Sequence, residues 1–241
     1  MPKLVVTRAF GNCARGQVIV DAGAVAAIRA DEDAAFVVAV PSGLVFDGVA
    51  TTGFAPVLAA GDGVASWAVG TTPLTAMVLS GGSVSAGRVY AHFRLNIEGV
   101  LFGAVMVGLA GPALDVNALN SVTGKALGVM ALAAGGGGED ALGLDVASLS
   151  STMLADGQEL IVYADIDAGS WGVVTADGVD HGNQQLALGN NTHAALGMAG
   201  GALRLMAGVE AGVPSGSGAV SVTLLASGVL AAPDGYVNLA V

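Results

Sequence analysis

Three histidines, an Asp-x-Asp pair, two tryptophans and a glycine cluster are the residues of this 241-residue chain whose types and spacing invite chemistry. The histidines are His92, His181 and His193. Metal sites need converging ligands, commonly at short fixed spacings such as H-x-x-x-H or H-E-x-x-H. Neither spacing occurs, and the single cysteine, Cys13, has no second thiol to pair with. His181 and His193 instead flank a polar run with Asn183, Gln184, Gln185, Asn190 and Asn191. That run reads as a polar loop whose amides and imidazoles are offered to a ligand or partner. Asp165 and Asp167 would share a face if both lay on a strand, and a carboxylate pair can hold Ca²⁺ or act as acid and base. Because Ala168-Gly169 follows, Asp167 reads rather as the start of an Asx-type turn. No G-x-S-x-G elbow occurs, and Gly135–Gly138 lacks the following Lys-Ser/Thr of a phosphate loop. A tryptophan on a sandwich edge can stack on a sugar, whereas one inside a hairpin is normally core. Trp171 reads as core; for Trp67 both readings stand. The expectation is a non-enzymatic protein with no metal and no cofactor.

The elements that must position these groups are β-strands. Gln158–Ile166 alternates, with Leu160, Val162 and Ala164 on one face and Glu159, Ile161, Tyr163 and Asp165 on the other, the pattern of a half-buried strand. Asp167-Ala-Gly169 reverses the chain, Ser170–Thr175 returns, and Asp177-Gly178 suits a two-residue hairpin turn of type I′. Gly87–Glu98 shows the same alternation, with Val89, Ala91, Phe93, Leu95 and Ile97 facing a core. Its other face, with Arg88, Tyr90, His92, Arg94, Asn96 and Glu98, meets solvent or a partner. Leu101–Leu109 is continuously apolar, as in a strand covered on both sides. Further strands are expected at Leu44–Val49, Pro56–Ala60, Ala65–Val69, Thr75–Leu79, Ala202–Ala207, Ala219–Leu225 and Gly228–Ala231, with Pro214–Gly218 as a turn. Ala126–Ala133 is a strand or a helix, Gly135–Gly138 a loop tip, and Asp145–Leu154 a candidate strand pair. Ahead of these, residues 1–42 form a small ββαβ unit: strands in Lys3–Phe10, Gln17–Val20 and Ala35–Val40, and a helix capped by Asp21 and running through Arg29.

Composition limits the partners. Eight Lys plus Arg against nineteen Asp plus Glu give a net charge of -11, which repels phosphate backbones and argues against nucleic acid. Mean hydropathy is high, at +0.72. Yet the apolar stretch tested as a membrane span, Gly99–Leu114, is shorter than the roughly 20 residues a spanning helix needs. Glycines and a proline interrupt it, so no membrane segment is expected. The N-terminus, MPKLVVTRAFG, lacks the apolar h-region of a secretory signal, so synthesis in a cytoplasm is expected. An apolar excess of Ala, Val, Leu and Gly suits closely stacked sheets or interfaces shared between subunits.

Two resemblances give these elements a context. Phe10-Gly11, Arg15-Gly16-Gln17-Val18, the Ala-rich stretch Ala22–Arg29 and Val37-Val38-Ala39-Val40 resemble a short N-terminal module of some tailed-phage structural proteins. From about Ser85 onward, the order of features resembles the SPRY-like, concanavalin-type β-sandwich domains often carried by phage fibre and capsid-associated proteins. The residues concerned are Ala86–Phe93, Val107-Gly108-Leu109-Ala110, Asp156-Gly157 through Gly169, Trp171, Asp177-Gly178 with Gly182, Val220–Leu225, Gly228, and Ala232-Pro233-Asp234-Gly235-Tyr236 through Leu239. The sequence departs from that pattern at His92, where the family carries an acidic residue.

These resemblances imply a mostly β protein: the small unit at 1–42, then an antiparallel β-sandwich of the SPRY/concanavalin-like jelly-roll type over 43–241. They imply a bacteriophage virion structural protein, a capsid decoration or fibre protein, made in the host cytoplasm. The N-terminal unit would attach to a major capsid or tail protein. Self-association, with a homotrimer as the form considered, is the expectation from composition. The alternative is a carbohydrate-binding receptor module reading host glycan through Trp67, His181, Asn183, Gln184, Gln185, Asn190, Asn191 and His193.

Overall fold

The computed structural model describes residues 3–6, 8–14, 17–19, 21–30, 36–40, 43–48, 50–59, 63–117, 126–133, 138–142, 148–150, 154–182 and 202–240. The first of three sheets has the order β2-β1-β3, built from β1 (Lys3–Val6), β2 (Val18–Ile19) and β3 (Val37–Val40), with α1 (Ala22–Ala30) between the last two in sequence. This is the expected ββαβ order. Asp21 Oδ1 accepts the Ala24 N–H at 2.8 Å, so the aspartate caps the helix as its position predicts. Leu4, Val6, Ile19 and Val25 form a small core of their own, to which Ala24 and Ile28 add one helix face.

The remaining strands make two antiparallel sheets facing each other. The larger runs β13-β12-β7-β15-β5-β4, from β4 (Val57–Ala59), β5 (Val64–Val69), β7 (Arg88–Glu98), β12 (Gln158–Asp165), β13 (Ser170–Val174) and β15 (Gly218–Leu224). A short β16 (Val237–Asn238) adds to β7 in parallel. The smaller sheet runs β11-β10-β9-β8-β14-β6, from β6 (Leu74–Leu79), β8 (Phe102–Ala110), β9 (Ala126–Ala133), β10 (Gly138–Leu142), β11 (Ser148–Ser150) and β14 (Arg204–Gly212). The protein is therefore mostly β, an antiparallel sandwich preceded by the small three-stranded sheet. Among the described residues no helix is long and apolar enough to cross a membrane.

The core between the sheets is the one the alternation specifies. Val89, Ala91, Phe93 and Leu95 of β7, with Leu160, Val162 and Ala164 of β12 and the fully buried Trp171, line the inner face of the larger sheet. They share one core with Val105, Val107 and Leu109 of β8 and Leu127 and Val129 of β9 in the smaller sheet. Fully burying large aliphatic or aromatic side chains contributes roughly 1.5–3 kcal/mol each, so these faces hold the two sheets together. Ala126–Ala133 resolves as a strand, because it pairs along its whole length with β8.

Several local expectations are corrected. Of the expected strand Leu44–Val49, the described residues 44–48 are not strand: Leu44 and Phe46 enter the core from irregular backbone, and the Asp47 carboxylate accepts the Gly81 N–H. Gly228–Ala231 is not a strand either, but part of a loop that crosses the outer face of the larger sheet. β12 is buried on both faces, not half-buried, because that loop covers it. The reversal after β13 is a three-residue loop, Ala176-Asp177-Gly178. Thr175 N–H bonds the Val179 carbonyl and Gly178 N–H bonds the Thr175 carbonyl. With Gly178 at φ 81°, this is a type I turn closed by a left-handed residue, the commonest alternative to the two-residue I′ form. Residues 134–137 and 143–147 lie outside the described residues.

Candidate functional site

The outward faces of β7 and β12 are where the chain's polar groups converge. Register sets the pairs: Arg94 lies opposite Glu159, His92 opposite Ile161, Tyr90 opposite Tyr163 and Arg88 opposite Asp165. After β15 the chain leaves the sheet, passes over this face as residues 225–236, and returns to β7 as β16. Asn238 pins both ends of this strap, its Nδ2 donating to the carbonyls of Leu225 (2.8 Å) and Ala226 (3.1 Å).

Under the strap Glu159 accepts three hydrogen bonds. They come from Arg94 Nη2 at 2.6 Å, His92 Nε2 at 2.9 Å and the Val229 N–H at 2.8 Å. Both Glu159 and His92 are buried, with side chains 3% and 2% exposed, while Arg94 reaches water. Burial by itself raises the Glu159 pKa, but the bonds from Arg94, Val229 and His92 outweigh it and hold the carboxyl below its ordinary value. Burial also pushes His92 below its ordinary value, against the pull of the Glu159 charge. A neutral imidazole donating Nε2–H to a carboxylate neutralised by Arg94 satisfies both directions. Gly228 sits on top of this group, and a Cβ there would overlap Glu159 Oε2 and the His92 ring, so only glycine lets the strap close.

A second cluster adjoins it. Arg88 Nε donates to Asp165 Oδ2 at 2.8 Å, and its guanidinium lies over the Tyr236 ring, 5.9 Å from the centroid. Tyr236 meets Tyr163 edge-on at 5.1 Å, and the Tyr163 hydroxyl donates to Asp180 Oδ1 at 2.6 Å. Burial raises all three tyrosine pKa values. The Asp180 carboxylate raises Tyr163 further, Asp165 raises Tyr236, and a bond with Asn238 partly lowers Tyr90. Asp165, not Asp167, shapes the following turn: its Oδ1 accepts the Ala168 N–H at 3.0 Å, while Asp167 is exposed beyond the strand end. The two carboxylates therefore do not share a strand face.

The sequence-derived contact residues divide three ways. Trp67, on β5, is 3% exposed, buried in the core, yet it lines a cleft at the open end of the sandwich. Its indole N–H and that of Trp171 have no hydrogen-bond partner among the described residues. His181 is half-buried and held within the hairpin: its Nε2 is 3.1 Å from Thr175 Oγ1 and its N–H bonds the Val173 carbonyl. Asn183, Gln184, Gln185, Asn190, Asn191 and His193 lie outside the described residues. Among the described residues no group of three or more His, Cys, Asp or Glu side chains is arranged to hold a metal.

The cleft beside Trp67 was not foreseen. It has a volume of about 670 Å³ and is walled by Phe54, Val57, Trp67, Pro73, Leu74 and Thr75. Phe54 is 53% exposed, Val57 77% and Leu58 42%, a concentration of exposed large apolar side chains on and beside the edge strand β4. A sequence signal for it exists: between Asp47 and Arg88 the only charged residue is Asp62.

Comparison with protein-family models gives no match, and neither does comparison with curated proteins. Among solved structures, the chain is similar to the SPRY domain of human HERC1, at 15% identity and a TM-score of 0.45, over 77% of this chain and 100% of that one. It is also similar to the TRIM65 PSpry domain, at 14% identity and a TM-score of 0.36, over 63% of this chain and 71% of that one.

Proposed function

We propose that this chain is a non-enzymatic structural protein of a tailed-phage virion, a capsid decoration or fibre protein that displays its β-sandwich at the particle surface. The observation that carries this reading is how the side chains are used. Among the described residues, the buried His92, Glu159 and Asp165 are each bonded inside the fold, while Phe54, Val57 and Leu58 gather on one charge-poor edge. That division suits a body made for contact rather than for proton transfer, since general acid–base chemistry needs a titrating group within reach of a substrate. In this reading the small N-terminal sheet, with its own core of Leu4, Val6, Ile19 and Val25, attaches to a major capsid or tail subunit. The net charge of -11 keeps the displayed sandwich soluble.

Quantitative mass spectrometry of purified particles from the phage that encodes the chain tests this. A copy number near that of the major capsid subunit is the result expected of a decoration protein, and a few copies per particle that of a fibre. Absence from the particle overturns the reading.

A further inference from the structure

The open end of the sandwich is an interface between two copies of this chain, we infer, made by Phe54, Val57 and Leu58 around the Trp67 cleft. Among the described residues the sheet order ends at β4, which pairs with β5 alone. Val57 projects from the outer face opposite Ser66. Leu58 lies opposite the buried Ala65, on the core side, yet is 42% exposed. The core is thus uncovered at this corner. β4 also pairs only as far as Ser66, so among the described residues Trp67, Ala68 and Val69 of β5 have no strand partner on that side.

Charge names the occupant. The chain carries 27 charged residues, yet from Gly48 to Gly87 there is one, Asp62, and none of the described cleft-lining residues is charged. On a molecule of net charge -11, this edge is where a second copy can approach without setting like charges against each other. A basic partner would gain more from the acidic surface elsewhere than from this edge. Shape agrees, because a two-fold interface must be self-complementary: one patch has to supply both the projection and the hollow. Here Phe54 projects at the rim of a cleft of about 670 Å³ that readily takes an aromatic side chain. Pro56 and the three-residue length of β4 discourage simple strand addition, so the contact is made by side chains rather than by a continuous sheet.

The inference rests on edge geometry and stands or falls apart from the virion reading: a chain found in particles could be monomeric in solution, and a dimer need not belong to a particle. The experiment is sedimentation velocity with light scattering on the intact chain over roughly 1–200 µM, where moderate interfaces dissociate, at low and at 0.5 M (~) salt. The variants are Phe54→Lys, Val57→Lys and, as a control, Val100→Lys, since Val100 is 73% exposed elsewhere. Far-UV circular dichroism and melting verify folding, and both edge positions are exposed enough for lysine to leave the fold intact. The expected result is a concentration-dependent dimer strengthened by salt, weakened at least about tenfold by either edge lysine and unchanged by Val100→Lys. A monomer throughout the range overturns the inference. So does an oligomer that the edge lysines leave unaltered, which would put the contact elsewhere.

Discussion

Replacing Glu159 by glutamine removes one charge from the group under the strap while nearly preserving shape. The carboxylate accepts from Arg94, His92 and the Val229 N–H, and bonds to an ionised acceptor are worth roughly 1.5–3 kcal/mol each. Glu159 Oε2 takes both His92 and Val229 while Oε1 takes Arg94, so the amide either turns its NH₂ on Arg94 and keeps two weaker, uncharged bonds, or turns it on the other two donors. Arg94 is 42% exposed and can turn to water, so its share of the loss is small. What remains is about 2–4 kcal/mol, at or just below the range for removing one side of a buried pair. At roughly 2–4 °C per kcal/mol for a chain of this size, the melting temperature should fall by about 5–15 °C at neutral pH. The pH profile separates charge from packing. Glu159 has a folded pKa below its ordinary 4.5, so the unfolded chain takes up its proton first, and this stability is present above 4.5 and lost as pH falls through the folded value. His92, lowered from 6.5, costs stability in the same direction, beginning below 6.5. Thermal unfolding from neutral to acid pH should therefore show a shallower decline below 4.5 in E159Q than in the parent, with the decline near 6.5 retained. An unchanged melting temperature at neutral pH, or identical acid limbs, refutes the account of Glu159 as the charged centre of the strap.

Gly228→Ala should cost about 1–3 kcal/mol, the usual effect of overpacking, because its Cβ overlaps Glu159 and His92. Hydrogen exchange at the Val229 amide should accelerate with it, and unaltered exchange would count against the strap contact. Spectrophotometric titration should show each tyrosine less than half ionised in the native protein at pH 10.0, the ordinary midpoint, since all three are raised. Stability should fall above that pH, because the unfolded chain loses those protons first; a normal midpoint for all three contradicts the burial described. Trp171→Ala should destabilise by roughly 3–5 kcal/mol in chemical denaturation, as expected of a fully buried indole. A loss of a few tenths would put that ring outside the core.

What the amino-acid order determines here is local. Period-two alternation in β7 and β12 names the core face residue by residue, and those residues do meet between the sheets. Asp21 before an Ala-rich run marks a helix start because its carboxylate can reach an unpaired N–H in the first turn. Trp171 reads as core from its place in a hairpin, and it is. The run of Gln158–Ile166 also shows which residues share the other face, but not what covers it. That depends on residues 225–236, about seventy positions later, arriving over Glu159 and Tyr163. The same separation hides the union of Arg94, His92 and Glu159, whose meeting follows from the β7–β12 register. Asp165 and Asp167 are indistinguishable as turn formers in sequence; only the strand's end at Asp165 gives the first of them both Arg88 and the turn N–H. The open edge is decided last of all. A run with a single charge can be a buried strand or an exposed edge, and at Val57 and Leu58 it becomes the latter because the described sheet order stops at β4. Side-chain periodicity is carried by neighbours in the chain, whereas cover is supplied by whichever distant segment folds against the face.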